Sequence, residues 1–345
     1  MKGVHPIRSA APALAAVFLT CCVAVGAMRA TPGAELPRYV PRALLAGDFR
    51  ITCESSAEPL MKLWVERFAK FHPGFEIIAK GTSPIASVPM VMSGAYELGF
   101  PARELWPSEE ESFRHIRGYD ATVIMVGLGA HRTAGLTPAL GVYVNAANPI
   151  DRITLGQLNA IYSAARRRGA SRPCTTWGDL GLTGAWSNRP IHAYIHRLPN
   201  GVDYFIQRQV CQGADFSKAV IQLPMRRGKL GPDDVIADVA VHDPAAIGFG
   251  CLGSGIPGMK MVALAEKSSG PFYAGTLEEV KRLEYPLARP IYMVVDREPG
   301  QPLPPKIEEF LTFVLSQEGQ EAIAASDGWL PLPEGLAAVE RRKLK

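Results

Sequence analysis

The chain has 345 residues, 47% of them hydrophobic, and its 37 Lys and Arg against 33 Asp and Glu leave a formal charge of +4. That length is enough for two ordinary domains with sizeable cores. The positive charge gathers only at Arg166-Arg167-Arg168 and Arg226-Arg227, which read as solvated faces, so nucleic acid is not expected as a partner.

At the N-terminus, Lys2 and Arg8 precede an apolar run from Ala10 to Ala27, the arrangement of a secretory signal. A membrane-spanning helix is the rival reading, but small residues dominate the run and Pro12 interrupts it. Cleavage is expected at Ala27 or Ala30, giving a signal over 1–30 and a Pro-containing leader over 31–47. Leu19-Thr20-Cys21-Cys22 fits a lipid-attachment signal poorly. Four cysteines follow the signal: Cys53, Cys174, Cys211 and Cys251. Export permits disulfides, and a Cys174–Cys211 pair is expected because both lie in the same middle segment. No C-x-x-C spacing suggests a metal.

Phe49 to Thr52 reads as a strand, running into the polar turn Cys53-Glu54-Ser55-Ser56 and an amphipathic helix over 59–71 with Pro59 in its first turn. A strand over 75–78, the turn Gly81-Thr82-Ser83-Pro84, a helix over 85–92 and a strand over 97–100 follow. This alternation is that of an α/β sheet with polar groups at its strand ends. The β-rich runs 120–128 and 140–144 are read as strands crossing into a second domain. A helix from Thr154 to Tyr162, a strand over 189–195, a helix over 202–210 and a strand over 245–249 come next. The chain then returns through 290–295 to Phe310–Pro333, where two helical pieces meet an extended Trp329-Leu330-Pro331-Leu332-Pro333.

The order of these segments resembles the periplasmic substrate-binding proteins of ABC transporters, specifically their phosphate-type branch. The resemblance is carried by Glu54-Ser55-Ser56, Gly81-Thr82-Ser83, Leu98-Gly99-Phe100 with Arg103, Thr154 to Leu158, Trp177-Gly178-Asp179-Leu180, Ala246 to Phe249, Arg289-Pro290 and the closing stretch. It implies an α/β fold of the two-domain periplasmic binding protein type, with two hinge-linked parallel-type sheets flanked by helices. Domain 1 is expected over 48–139 and 252–345, and domain 2 over 140–251.

It also implies an exported, periplasmic protein that closes two domains around a small anionic solute and passes it to a membrane permease, as a monomer and without cofactor, metal or catalysis. Hydroxyls and N–H groups at helix N-termini suit such an anion. Ser55, Ser56, Thr82 and Ser83 are the candidates from the first domain, with Arg103 nearby; Arg197, Asn200 and Gly201 are those from the second. Each hydroxyl has a plainer reading as a helix cap, and Arg197 as a surface ion pair. Two departures stand against the family pattern: Ala102 occupies the place of an acidic acceptor, and Asn200-Gly201-Val202 replaces a Ser-Gly-Thr turn. Both point away from the phosphate default toward another anion or a small acid.

Two alternatives remain in the sequence. One is a degenerate binding domain used for sensing or protein contact. The other is an exported hydrolase with Ser55, Ser56 or a cysteine as nucleophile and His72, His115, His131, His192, His196 or His242 as base, which no G-x-S-x-G or H-E-x-x-H motif supports.

Overall fold

The computed structural model describes residues 36–131, 133, 135–224, 233 and 242–345. The expected signal over 1–30 and the Arg226-Arg227 cluster lie outside the described residues. Among the described residues no helix is long and apolar enough to cross a membrane.

The first lobe opens with β1 (Gly47–Glu54), α1 (Glu58–Ala69), β2 (Phe75–Thr82), α2 (Ser87–Met92), β3 (Leu98–Phe100), α3 (Pro107–Arg117) and β4 (Thr122–Leu128). The second holds β5 (Leu140–Asn145), β6 (Arg152–Thr154), α4 (Leu155–Tyr162), β7 (His192–His196), α5 (Gly201–Gln209), β8 (Ile221–Leu223), β9 (Ala246–Cys251), β10 (Met259–Ala265) and α6 (Leu277–Lys281). The chain then re-enters the first lobe with β11 (Pro290–Val295), α7 (Pro305–Val314), α8 (Gln317–Ala324) and α9 (Glu334–Arg342).

Two sheets result, ordered β2-β1-β3-β11-β4 and β6-β10-β5-β9-β7-β8. Both are mixed. Parallel pairing holds for β1 with β2 and β3, for β7 with β8 and β9, and for β6 with β10. Strands beside the crossings run antiparallel: β11 against β3 and β4, and β5 against β9 and β10. They enter from the other lobe and not through a helical crossover, which is what a parallel neighbour requires.

The expected return to the first domain at 252 is corrected by this topology. β10 pairs with β5 and β6 in the second sheet, so the first sheet resumes only at Pro290. The expected Cys174–Cys211 disulfide is absent: both are thiols. Cys211 is packed in the second core, where burial pushes its thiol up to about 12.

Each lobe has its own core. In the first, Trp64 on α1 is fully buried, and its indole N–H donates to the Gly319 carbonyl at 2.9 Å. Phe68 packs edge-on against Phe310 and Phe313 of α7 at 5.3 and 5.2 Å. The closing stretch is fixed by Gln320, whose side-chain amide donates to Val126 O and Val314 O at 3.0 and 2.9 Å and accepts from Leu332 N at 2.7 Å. The extended Trp329–Pro333 segment therefore docks on β4, where Leu330 bridges Leu128.

At the hinge the crossing segments lie side by side. Gly129 N donates to Arg289 O at 2.6 Å and Leu140 N to Leu287 O at 3.1 Å. A Cβ on Gly129 would stand 2.4 Å from Thr137 O and 2.7 Å from Arg289 O, so only glycine allows this approach.

Candidate functional site

The C-terminal ends of β1 and β3 and the N-terminus of α5 meet where the lobes face each other. β1 ends at Glu54, in register with Thr82 at the end of β2. A single 3-10 turn, Ser55–Ala57, leads from there into α1. β3 is followed by Ala102, buried and held at φ 52°, and this backbone turn aims the next residue, Arg103, back into the molecule.

Arg103 is 4% exposed. Its two terminal nitrogens grip Glu109 of α3 at 2.8 and 2.7 Å and also reach the carbonyls of Glu104 and Pro84, both at 2.7 Å. Glu109 also caps α3, because its Oε2 accepts from Trp106 N at 2.8 Å. With both terminal nitrogens engaged, Arg103 Nε is left buried and without an acceptor. Trp106 Nε1 shares that condition, whereas the Ser56 hydroxyl lies against the Glu54 carboxylate. A buried donor without an acceptor costs about 1–3 kcal/mol, and two beside Gly201 suit an acceptor-rich partner.

A second arginine comes from the hinge. Arg289, immediately before β11, is 3% exposed. Its Nε and Nη2 take both oxygens of Glu104 at 3.0 and 2.7 Å, and Nη2 also donates to the Gly201 carbonyl at 3.0 Å. Its guanidinium lies 5.1 Å from the Phe205 ring of α5. Across the same seam Trp106 packs on Tyr204 at 5.3 Å, and Arg208 of α5 donates to Leu105 O at 3.1 Å and Glu110 at 2.8 Å. The lobes are thus joined along one face of α5.

Gly201 sits at the start of α5 between these groups. A Cβ there would lie 3.4 Å from Arg289 Nη2, 3.4 Å from Trp106 Nε1 and 3.7 Å from Arg103 Cδ. The helix end, two guanidiniums and an indole N–H border one small volume, a setting for an oxyanion. Glu54 faces the same groups. Burial raises its carboxyl above the usual range, against the lowering effects of the neighbouring Ser56 hydroxyl and of Arg103 and Arg289.

Residues 40–318 match the family model of the PBP superfamily domain. The chain belongs to the PBP superfamily. Within it, the chain is a phosphate-type substrate-binding protein. It is 30% identical over 327 residues to the phosphate-binding protein PstS of Pseudomonas aeruginosa, covering 94% of this chain and 96% of that one. Protein SphX of Synechococcus elongatus is 27% identical over 202 residues, 56% of this chain and 54% of its own length. The fold is that of an ABC-type phosphate transport receptor from Vibrio cholerae (TM-score 0.52, 18% identity, 83% of this chain and 100% of that one). PstS from Borrelia burgdorferi shares it equally (TM-score 0.52, 16% identity, 83% and 98%). The matched family, with a phosphate-binding protein 30% identical over nearly the whole chain, is one of binding proteins, which sets the hydrolase alternative aside. His72, one of its candidate bases, is buried against Tyr39 and Glu309 in the first core.

Of the eight residues expected at the site, Arg103 and Gly201 lie side by side between the lobes, and Ser56 lies beside Glu54 at the end of β1. Ser55 and Thr82 instead tie strand ends: Ser55 Oγ donates to Thr82 O at 3.1 Å and Thr82 Oγ1 to Cys53 O at 3.2 Å. Ser83 is exposed on the following turn. Asn200 caps α5, its Oδ1 accepting from Asp203 N at 2.9 Å. Arg197 is exposed, and its backbone N donates to Leu223 O at 2.8 Å. Sequence reasoning missed Glu54, Glu104, Trp106, Glu109 and Arg289 as site residues. Arg289-Pro290 stood out only as a family segment, and α3 went unread because its sequence is polar nearly all round, with Phe113 its one buried apolar side chain.

Proposed function

We propose that the chain is exported and captures an inorganic, phosphate-like oxyanion between its two lobes, for delivery to a membrane permease. The observation that carries this reading is the pair of buried donors without acceptors, Arg103 Nε and Trp106 Nε1, beside the N-terminus of α5. Ser56, Arg103, Trp106 and Gly201 would touch the anion. Ser55, Thr82 and Asn200 would hold the strand and helix ends in place, with Ser83 and Arg197 at the rim. The relatives named above are phosphate proteins by name, which supports the same ligand class here.

The lobes are joined by contacts distributed about a hinge, the arrangement that lets a solute select the closed state. Calorimetric titration with inorganic phosphate is the test: one saturable site is expected, and its loss in Arg103→Ala. Absence of binding by phosphate, sulfate and small acids alike would contradict this reading and favour the sensing alternative.

A further inference from the structure

The two sheets present four edges, and three of them are short or partly closed. β4 is met on its outer side by Leu330, and β6 and β8 are three residues each. β2 is the exception. It runs for eight residues and pairs only with β1, and among the described residues no other segment bonds to the backbone of residues 76–81. An edge of this length is a template for another strand.

The side chains of β2 divide by parity. Phe75 and Ile77 join the first core, so 76, 78 and 80 face the opposite way. On that face Ile78 is 43% exposed. Glu76 and Lys80 flank it, both exposed, and neither forms an ion pair or a side-chain hydrogen bond among the described residues. β1 offers no counter-charge directly opposite, since Glu76 lies beside Asp48 and Lys80 beside Thr52 in the parallel register. One open apolar side chain between two unanswered charges of opposite sign is a self-complementary pattern.

We propose that β2 is a homodimer interface, to which a second copy of this chain adds its own β2 antiparallel, about a twofold axis at Ile78. An axis perpendicular to the sheet keeps each face on its own side, so opposed residues are both odd-numbered or both even-numbered. In the register centred on Ile78, Glu76 meets Lys80 of the second copy, Lys80 meets Glu76, Ile78 meets Ile78 and Ile77 meets Ala79. Sliding to the next allowed register on either side sets Ile78 against a charge instead. A lysine on an edge strand ordinarily discourages pairing; here a glutamate of the second copy answers it. Two five-stranded sheets thus join edge to edge, and β1 and β3 stand between the new seam and the hinge strands β11 and β4. The monomer expected from the family resemblance is the competing reading.

Sedimentation equilibrium of the purified protein at pH 7.5, over about 5–500 µM, tests this. A reversible monomer–dimer equilibrium is expected for the unmodified chain. Glu76→Lys and Lys80→Glu should each raise the dimer dissociation constant at least about tenfold, because each turns both attractive cross-strand pairs into repulsive ones. The double exchange Glu76→Lys/Lys80→Glu restores the opposition with signs reversed, and should return the constant to within about threefold of the parent. Both positions are exposed, so the melting temperatures of the three variants should match the parent's. A monomer at every concentration overturns the proposal. So does a dimer that survives both single substitutions, or a double exchange that dissociates as readily as the singles.

Discussion

Arg289 Nη2 stands 3.0 Å from the carbonyl oxygen of Gly201 and 2.7 Å from Glu104 Oε1. One guanidinium at the hinge thus fastens the loop after β3 to the first turn of α5. Lysine cannot reproduce this, because a point charge replaces a planar fork serving two acceptors. Arg289→Lys should weaken oxyanion binding by about 10- to 100-fold, the equivalent of losing about 1.5–3 kcal/mol of charged hydrogen bonding. Titration calorimetry gives the affinity, and small-angle scattering should show a more open average shape.

Gly201 leaves room that any side chain would fill. Gly201→Ala places a methyl 3.4 Å from Arg289 Nη2 and Trp106 Nε1, so the fold should survive while the cleft narrows. The expected outcome is a melting temperature within a few degrees of the parent and at least about tenfold weaker oxyanion binding. Equal affinity in the two proteins would remove Gly201 from the site.

The two arginines expected from the sequence should separate. Arg103 is buried and Arg197 exposed, so Arg197→Ala should change affinity less than about threefold while Arg103→Ala abolishes measurable binding. Circular dichroism of Arg103→Ala is the control, since that variant leaves Glu109 buried without its cation.

Much of this architecture was legible in the sequence, and the failures have physical causes. The β1–α1–β2 unit and the closing Phe310–Pro333 stretch showed themselves through apolar spacing and proline. The boundary at 252 failed because Met259–Ala265, half-buried at four of its seven positions, alternates too weakly to announce a strand. The candidate site was legible in part. Ser56, Arg103 and Gly201 lie in turns that sequence marks, whereas Glu104 and Arg289 act through a pairing over 185 residues, which no local pattern encodes, and Glu109 pairs with Arg103 from a helix whose polar sequence hid it.

Stability should depend on pH through His72. Burial holds its imidazole below the ordinary value, with Glu309 opposing. The unfolded chain therefore binds the proton more readily, so stability falls as pH drops below about 6.5 and levels only once the folded group is also protonated. The loss from this one group is at most about 1.4 kcal/mol per pH unit. Urea unfolding at pH 7 and pH 5 should show the slope, and His72→Gln should flatten it.

Trp64 anchors α1 to α8 through its bond to Gly319. Trp64→Ala should cost about 3–5 kcal/mol, read as an earlier urea midpoint, and the second lobe's core should be untouched.

Buried donors of Arg103 and Trp106 holding an oxyanion between the lobes are what the whole functional reading depends on. The decisive experiment titrates inorganic phosphate at pH 7.5 into the unmodified protein and into the mild double variant Ser56→Ala/Trp106→Phe. One site per chain is expected in the first and at least about a hundredfold loss of affinity in the second, with both proteins folded. Equal affinity in the two, or no binding to the unmodified chain, would contradict that reading.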